Sequence, residues 1–296
     1  MFIATLIAAN PHEDGAENAA CDLLAAAGCT PQDTRIFGNG RAIDIHFENE
    51  LDAAKTALAP CLDSCDLFVQ PAAHRVKKLL CSDMDSTMIA AECIDELADY
   101  ADLRSEVTAI TESAMRGEFD FAESLTKRVA LLEGLPENTI EECLHERIRA
   151  MPGAGTLIAT MHGLGCFNVL VSGGFHAFAD PVAAGLGFNQ VFANRLEMHD
   201  GKLTGRLLGD IVDAKAKADF LEQALKARNI DAADSLAIGD GANDIAMLQA
   251  AGYGIAHHAK PAARDAADAY VTHGDLTTIL LAQGIDEDQW LIIPER

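Results

Sequence analysis

Residues 79–92 read LLCSDMDSTMIAAE, an apolar run that ends in Asp83 and Asp85 and continues at once into Ser86 and Thr87. At the end of an extended segment, residues i and i+2 project to the same side, so both carboxylates can face one reacting group. Such close charges raise each other's pKa unless a cation lies between them or one carboxylate stays protonated. The stretch therefore predicts a divalent cation and a split of roles, with one carboxylate as ligand and nucleophile and the other moving a proton.

Three further apolar runs end in polar residues in the same way. They are FNVLVSGG (167–174), SLAIGDGAND (235–244) and YGIAHHAK (253–260), and helical patterns lie between them. Such runs are typical of buried parallel strands, and ligands of open α/β sheets bind beyond the carboxyl ends of the strands. The sequence predicts an α/β fold in which these polar ends converge on one crevice.

The polar ends carry groups suited to a phosphoryl group and a metal ion. Asp240 and Asp244 offer hard oxygen ligands of the kind that Mg²⁺ prefers. Ser172 offers a hydroxyl, and the two glycines after it offer backbone N–H groups for the oxygens of an anion. A lysine at the start of the predicted helix 214–228 adds a fixed positive charge.

Two insertions interrupt the alternation. Residues 90–150 have helical patterns throughout. They are inserted directly after the first predicted strand, as a cap over the crevice would be. Residues 195–208, RLEMHDGKLTGRLL, alternate between apolar and polar residues around a central Asp-Gly, which predicts a β-hairpin.

The first 72 residues follow a different plan. Their patterns indicate the order βαββαβ, which is the α+β ferredoxin-like arrangement. This order resembles the ACT-like regulatory domains attached to enzymes of amino-acid metabolism, and both a dimerisation module and an amino-acid sensor stay open as its role. Residues 73–78 are the predicted linker, and 79–296 the second domain, with a core of 79–89 and 151–296.

Composition limits the partners. The chain has 296 residues with 22 Lys+Arg against 46 Asp+Glu, a net charge of -24, which would repel nucleic acid and anionic membranes. The apolar N-terminus lacks a basic start and is interrupted at Asn10 and Pro11, so a cytoplasmic protein is expected. Cys61 and Cys65 lack further ligands for zinc in the sequence nearby, so a structural role is favoured.

DMDST, VSGG, a helix-borne lysine and GDGAND, in this order, resemble the four motifs of the haloacid dehalogenase superfamily. The longer stretches FDFAESLTKRVALLEGLP and FANRLEMHDGKLTG are similar to the phosphoserine phosphatases of that superfamily, and the resemblance covers about residues 79–280. It implies a Rossmann-like parallel-sheet core with a helical cap, Mg²⁺ as cofactor, and hydrolysis of O-phospho-L-serine, a small molecule, to L-serine and phosphate through an aspartyl-phosphate. This reaction is the last step of L-serine biosynthesis.

The same resemblance implies roles for individual residues. Asp83 would be the nucleophile, and Asp85 would protonate the leaving oxygen and later deprotonate water. The implied metal site uses the carboxylates of Asp83 and Asp240 and the backbone carbonyl of Asp85, with Asp244 in support. The implied phosphoryl site consists of Ser172, Gly173, Lys217 and Asn243. Alignment on the helix favours Lys217 over Lys215, which would lie about 200° away around the helix.

Phosphoserine carries an ammonium and a carboxylate besides its phosphate, so a selective site needs one more acid and one more base. The resemblance implies Glu92 for the ammonium and Arg128 for the carboxylate, which a guanidinium can bind with two hydrogen bonds. Phe121 and Met115 are candidates for the pocket wall, although such residues at helical spacing more often belong to the core.

Two other functions stay open at this stage. One is a phosphatase or phosphotransferase of the same superfamily that acts on another small phosphorylated amine or alcohol. The other is an amino-acid-binding regulatory protein whose N-terminal domain carries the function and whose α/β part is inert. The presence of both Asp83 and Asp85 argues against the second, because an inert domain has no chemical need for the pair.

Overall fold

The computed structural model describes residues 1–115 and 118–294 of the chain. The side chain of Met115 lies outside the described part, so its predicted place in the pocket wall stays a prediction. These described residues fold around two β-sheets, one with four strands and one with seven. None of the helices in the described part is both long and apolar enough to cross a membrane.

The four-stranded sheet is formed by the first part of the chain. Its elements are β1 (Phe2–Ala8), α1 (Ala16–Ala26), β2 (Thr30–Phe37), β3 (Ala42–Glu48), α2 (Leu51–Leu58) and β4 (Cys65–Pro71). The strands are antiparallel in the order β2-β3-β1-β4. One apolar face packs against the two helices through a cluster that includes Leu24, Phe47 and Leu58. The predicted βαββαβ order is confirmed, whereas the ACT-like assignment stays a prediction.

The remaining elements build the seven-stranded sheet and its helices. In chain order they are β5 (Leu79–Ser82), α3 (Cys93–Tyr100), α4 (Arg104–Met115), α5 (Phe121–Leu131), α6 (Asn138–Glu146), α7 (Ala154–Gly163), β6 (Phe167–Phe175), α8 (His176–Leu186), β7 (Gln190–His199), β8 (Lys202–Leu208), α9 (Ala214–Arg228), β9 (Ser235–Gly239), α10 (Ile245–Ala250), β10 (Gly254–His257), α11 (Pro261–Ala266), β11 (Ala269–Val271) and α12 (Thr278–Ala282). The strand order is β11-β10-β9-β5-β6-β7-β8. All neighbours are parallel except β7 and β8.

The antiparallel pair β7 and β8 is the predicted hairpin. Its turn lies at Asp200 and Gly201, whose φ angles of 50° and 73° are both left-handed. Two successive left-handed residues match the right-handed twist of the flanking strands, and Asp-Gly tolerates this conformation well. The hairpin prediction is confirmed.

Helices α3 to α6 lie between β5 and α7 in the chain, which confirms the predicted helical insertion. Helix α5 begins with a capping box, in which the Asp120 carboxylate accepts from the Glu123 N–H and the Glu123 carboxylate accepts from the Asp120 N–H. Leu97 of α3, Leu125 of α5 and Ile140 of α6 join the same apolar cluster as the sheet. The insertion is therefore packed onto the core.

The two sheets are also packed together. The second face of the four-stranded sheet contributes Ile7 and Phe68 to the large apolar cluster, and α12 contributes Ile279 and Leu280. Burial of apolar area contributes roughly 25 cal/mol per Å², so this shared cluster stabilises the contact between the two parts.

A buried carboxylate completes this contact. Asp66 of β4 is 1% exposed. Its carboxylate accepts hydrogen bonds from the backbone N–H groups of Thr272, His273 and Gly274 at 2.7, 3.0 and 2.9 Å. One side chain of the first sheet therefore satisfies three successive donors in the loop that follows β11.

We expect Asp66→Ala to lower the free energy of unfolding by about 2–4 kcal/mol, because buried donors that lose their acceptor carry a desolvation penalty. Asp63→Ala, which removes an exposed aspartate three residues earlier, should change it by less than about 0.5 kcal/mol. Urea unfolding followed by circular dichroism measures both. Similar losses in the two variants would contradict the role of the three hydrogen bonds.

Candidate active site

Three buried aspartates meet at the carboxyl ends of neighbouring parallel strands. Asp83 follows β5, and Asp240 and Asp244 follow β9. The Asp83 N–H donates to the Ile238 carbonyl at 2.9 Å, which ties the two strand ends together. The three side chains each offer an oxygen within 4.8 Å of the others. Several carboxylate oxygens at such spacing are the donor set of a hard divalent cation, so these residues fit a metal ion.

Burial makes this concentration of charge costly. It raises the pKa of Asp83 well above its usual range, the charge of Asp244 adds to this, and Lys217 opposes it. Burial and then the charge of Asp244 raise the pKa of Asp240 to about 6. The site therefore favours any positive charge placed among its carboxylates, which is consistent with the fit to a cation.

Lys217 lies in the first turns of α9 and reaches into this cluster. Its Nζ is 2.8 Å from Asp83 Oδ1 and 2.7 Å from Asp244 Oδ1, and its side chain is 1% exposed. Although burial opposes its charge, Asp244 and Asp83 raise the pKa of Lys217 above its ordinary value. The side chain of Lys215, in contrast, is 81% exposed and pairs with Asp219 at 2.6 Å. Of these two lysines, only Lys217 contacts the acidic cluster.

Asp85 lies beside the cluster and faces the second strand end. Its Oδ1 accepts from the Cys93 N–H at 3.3 Å. Its Oδ2 lies 2.8 Å from the position that a Cβ on Gly174 would occupy, so a larger residue at 174 would collide with it. Burial and then the charge of Glu92 raise the pKa of Asp85 to about 7. Among the described residues, the group of three carboxylates that could hold a metal ion does not include that of Asp85, whose predicted metal contact is through its backbone carbonyl.

The backbone after Val171 leaves the regular ladder between β6 and β7. The register of the two strands shifts between Val171 and Phe175, and Ser172 and the two glycines occupy this interval. Ser172 is fully buried, and its Oγ accepts from the Gly174 N–H at 2.8 Å. The interval therefore brings a hydroxyl and closely spaced backbone N–H groups to the edge where Asp85 lies, as an anion site requires.

Asp244 also holds the backbone at the end of β9. Asp244 Oδ2 accepts from the N–H groups of Asp240 and Gly241 at 3.1 and 3.0 Å. Asn243, between them and the helix α10, is partly buried, and its side-chain oxygen lies against Gly241. The two hydrogen bonds to Asp244 Oδ2 hold the backbone turn around Asp240 in place.

Thr87 is a member of the site that sequence reasoning did not single out. It is fully buried, and its Oγ1 donates to Asp240 Oδ1 at 3.1 Å. Thr87 belongs to the DMDST motif, but Asp240 lies 153 residues later in the sequence, so no local pattern indicates their contact. Thr87 orients the Asp240 carboxylate relative to the first strand end.

The helical insertion closes over this edge of the sheet. The Phe121 ring of α5 lies 3.0 Å from the position that a Cβ on Gly173 would occupy. Glu92, the residue before α3, is exposed and accepts from the Ser86 Oγ at 2.9 Å. Arg128 of α5 is partly buried, and burial lowers its pKa while the charges of Asp95, then Glu92 and Asp85, oppose the shift. The cap thus brings one carboxylate and one guanidinium near the strand ends.

Comparison with known proteins gives consistent results. Residues 80–249 match the model of the haloacid dehalogenase-like hydrolases. A phosphoserine phosphatase of Idiomarina loihiensis is 52% identical over 202 residues, which are 68% of this chain and 91% of that protein. A phosphoserine phosphatase of Mycobacterium tuberculosis is 47% identical over 213 residues, 72% of this chain and 52% of that protein, so the chain matches about half the length of that relative.

A solved structure extends the similarity to the first sheet. A haloacid dehalogenase family hydrolase from Salmonella enterica subsp. enterica serovar Typhi superposes with a TM-score of 0.86 at 28% identity. The superposition covers 97% of this chain and 100% of the other. Both sheets and the helical insertion therefore have counterparts in one known structure.

Proposed function

The chain belongs to the haloacid dehalogenase-like hydrolase family, and on this basis we propose that it hydrolyses O-phospho-L-serine to L-serine and inorganic phosphate. The observation that carries the proposal is the buried group of Asp83, Asp240, Asp244 and Lys217 beneath a cap that holds Glu92 and Arg128. The reaction would complete the synthesis of L-serine. The similarity to phosphoserine phosphatases supports phosphoserine as the substrate.

In the proposed first step, an Asp83 carboxylate oxygen attacks phosphorus and the bond from phosphorus to the serine oxygen breaks. Asp85 gives its proton to that leaving oxygen. In the second step Asp85 takes a proton from a water molecule, whose oxygen attacks phosphorus and breaks the bond to Asp83. Phosphate leaves, and both carboxyl groups return to their starting states. General acid–base catalysis of this kind contributes roughly 10²- to 10⁴-fold.

The phosphoryl oxygens need charge neutralisation more than covalent chemistry. We assign this role to Lys217 and to the Ser172 hydroxyl and the Gly173 N–H, with Asn243 beside them. Lys217 is already held at 2.8 Å from Asp83 Oδ1, so its charge stands at the nucleophile before substrate arrives. This fixed position avoids reorganisation during the reaction.

The acidic cluster fits Mg²⁺ as the cofactor of this reaction. Asp83 and Asp240 would hold it through their carboxylates, and Asp85 through its backbone carbonyl. Asp244, in the segment after β9, would support the site. When bound, Mg²⁺ supplies positive charge that offsets the repulsion between the phosphate and the carboxylates. Asp244 is the natural supporting member because its oxygens already bond Lys217 and two backbone N–H groups.

The first 72 residues enter the proposal as a separate ACT-like domain, with 73–78 as the linker. The observation in support is their own four-stranded sheet with its own apolar cluster against α1 and α2. Whether this domain senses an amino acid or forms a homodimer stays a prediction, as does the cytoplasmic location. The alternative is a regulatory protein without catalytic activity, and an activity assay distinguishes it from the proposed enzyme.

The test of the proposed function is phosphate release from the purified full-length chain, with Mg²⁺ and with EDTA in place of it. Substrates are phosphoserine, phosphothreonine, homoserine phosphate and phosphoethanolamine. We expect the highest kcat/KM with phosphoserine and a loss of activity in EDTA. A higher value with one of the other three would favour a family member with a different substrate, and no release from any of them would contradict the proposed function.

Arg128→Ala provides the sharpest test of substrate selection. We expect kcat/KM for phosphoserine to fall by roughly 10- to 150-fold, because hydrogen bonds to a charged group contribute about 1.5–3 kcal/mol. Phosphoethanolamine, which lacks the carboxylate, should be hydrolysed by the variant and the parent with values within about threefold. The measurement is steady-state phosphate release on both substrates.

Lys127→Ala is the matched control for this variant. Lys127 precedes Arg128 on the same helix, but its Nζ lies over the Phe119 ring at 3.3 Å from the centroid. Its replacement should leave the ratio between the two substrates unchanged. An equal loss on both substrates in Arg128→Ala would contradict the role of Arg128 in binding the carboxylate.

A further inference from the structure

We propose that Asn194 is a positioning residue that fixes the phosphate-binding backbone and the segment leading to Lys217 in one arrangement. The inference rests on the proposed phosphatase function. Asn194 lies on β7 and is 2% exposed. Its Nδ2 donates to the Gly173 carbonyl at 2.8 Å, and its Oδ1 accepts from the Val212 N–H at 2.8 Å. One buried amide therefore joins two segments of the site.

The first bond replaces a missing part of the sheet. β6 and β7 pair up to Val171 and Phe192, and pair again only at Phe175 and Asn194. In the interval three residues of β6 face a single residue of β7, so the ladder is interrupted there. The Asn194 side chain satisfies the partly buried Gly173 carbonyl there, at the point where the ladder is interrupted.

The orientation of one peptide plane follows from this bond. The carbonyl of Gly173 and the N–H of Gly174 belong to the same planar trans peptide, so they point in opposite directions. A donor that holds the carbonyl toward β7 turns the N–H away from it, toward Ser172 Oγ at 2.8 Å. Asn194 thus sets the direction of the Gly174 N–H, which holds the Ser172 hydroxyl assigned to the phosphoryl oxygens, and glycines at 173 and 174 would otherwise let this peptide rotate.

The second bond extends the effect to the lysine. Val212 lies two residues before the start of α9, the helix that carries Lys217. Asp213 caps this helix, its carboxylate accepting from the Ala216 N–H at 2.8 Å. Holding the Val212 N–H therefore fixes the entry to α9 relative to Gly173.

Only a side chain with a donor and an acceptor a short distance apart can make both bonds, and a primary amide meets this requirement. Neither bond reaches the acidic cluster, and Asn194 donates no group to the substrate. Replacing Asn194 should therefore weaken the binding of the phosphoryl oxygens and the alignment of the phosphoryl group with the nucleophile. The nucleophile and the proton donor themselves stay intact.

The experiment compares Asn194→Ala with Asn168→Ala. Asn168 is a fully buried asparagine on β6 whose Nδ2 donates to the Ile158 carbonyl at 3.2 Å, on a part of the strand remote from Ser172. For both variants we measure Tm, the KM and kcat for phosphoserine, and the inhibition constant of inorganic phosphate. Asn194→Ser, which keeps a small polar group, is measured alongside in case the alanine variant does not fold.

We expect Asn194→Ala to raise the phosphate inhibition constant and the KM by about 10-fold, with a smaller decrease in kcat. Asn168→Ala, which removes one buried hydrogen bond from the same sheet, should leave the phosphate inhibition constant within about twofold whatever its effect on Tm. A purified parent protein that releases no phosphate would contradict the proposed function itself. With an active parent, an unchanged phosphate constant in the Asn194 variants, or an equal rise in Asn168→Ala, would overturn the inference.

Discussion

Asp83→Asn is expected to lower kcat for phosphoserine by roughly 10⁴- to 10⁶-fold, the range found when the nucleophile of a covalent mechanism is removed. An amide has nearly the volume of the carboxylate, so the packing around it is kept. It carries no negative oxygen to attack phosphorus. Lys217 would still pair with Asp244 at 2.7 Å, and the positive charge at the site would therefore remain in place.

The measurement is phosphate release together with mass spectrometry of the acid-quenched protein, which detects phosphate bound to the chain. The parent should show a phosphorylated Asp83 during turnover, and the variant none. Asp219→Asn, which removes the exposed partner of Lys215, is the matched control and should keep kcat within about twofold. Full activity in Asp83→Asn would contradict the nucleophile assignment and with it the proposed mechanism.

Much of the fold followed from local patterns. The run that becomes β5 ends in Ser82 and is followed by Asp83, and a similar change occurs at Ser172 within β6 and at Asp240 after β9. Because parallel strands present their carboxyl ends on one edge, these patterns were enough to predict that the polar ends converge. The Asp-Gly of the hairpin was similarly informative, since few dipeptides accept two left-handed residues.

Other features depend on contacts that no local pattern reveals. β11 has three residues, too few for a period of two to stand out. Asp66 looks like an ordinary polar residue in a strand, and its role appears only when the loop 272–274 packs against it. Asn194 has the same ambiguity, because a polar residue in an alternating strand usually faces solvent. In each case the partner lies far away in the sequence, and tertiary packing decides the role.

The geometry of the cap was predictable only through the family resemblance. From periodicity alone, Arg128 borders the buried stripe of α5, which fits a core-facing or a solvated side chain equally well. The structure places it partly buried near Asp95, Glu92 and Asp85, and burial lowers its pKa. The guanidinium reaches this position because of how α5 is packed over the strand ends. No residue within α5 determines that packing.

Asp85→Asn is expected to lower kcat by roughly 10²- to 10⁴-fold, because the variant can neither protonate the leaving oxygen nor deprotonate water. The asparagine oxygen can still accept from the Cys93 N–H, the bond that Asp85 Oδ1 makes at 3.3 Å, so the side chain should keep its place. Asp83 stays intact in this variant.

The two aspartate variants therefore differ in what accumulates. If Asp85 acts in both steps, Asp85→Asn should form the aspartyl-phosphate slowly and lose it slowly, so a phosphorylated chain is detected in acid-quenched samples long after mixing. Asp83→Asn should give none at any time. A phosphorylated species that decays as fast in Asp85→Asn as in the parent would show that another group activates the water, because breakdown of the intermediate would then proceed without the carboxylate at position 85.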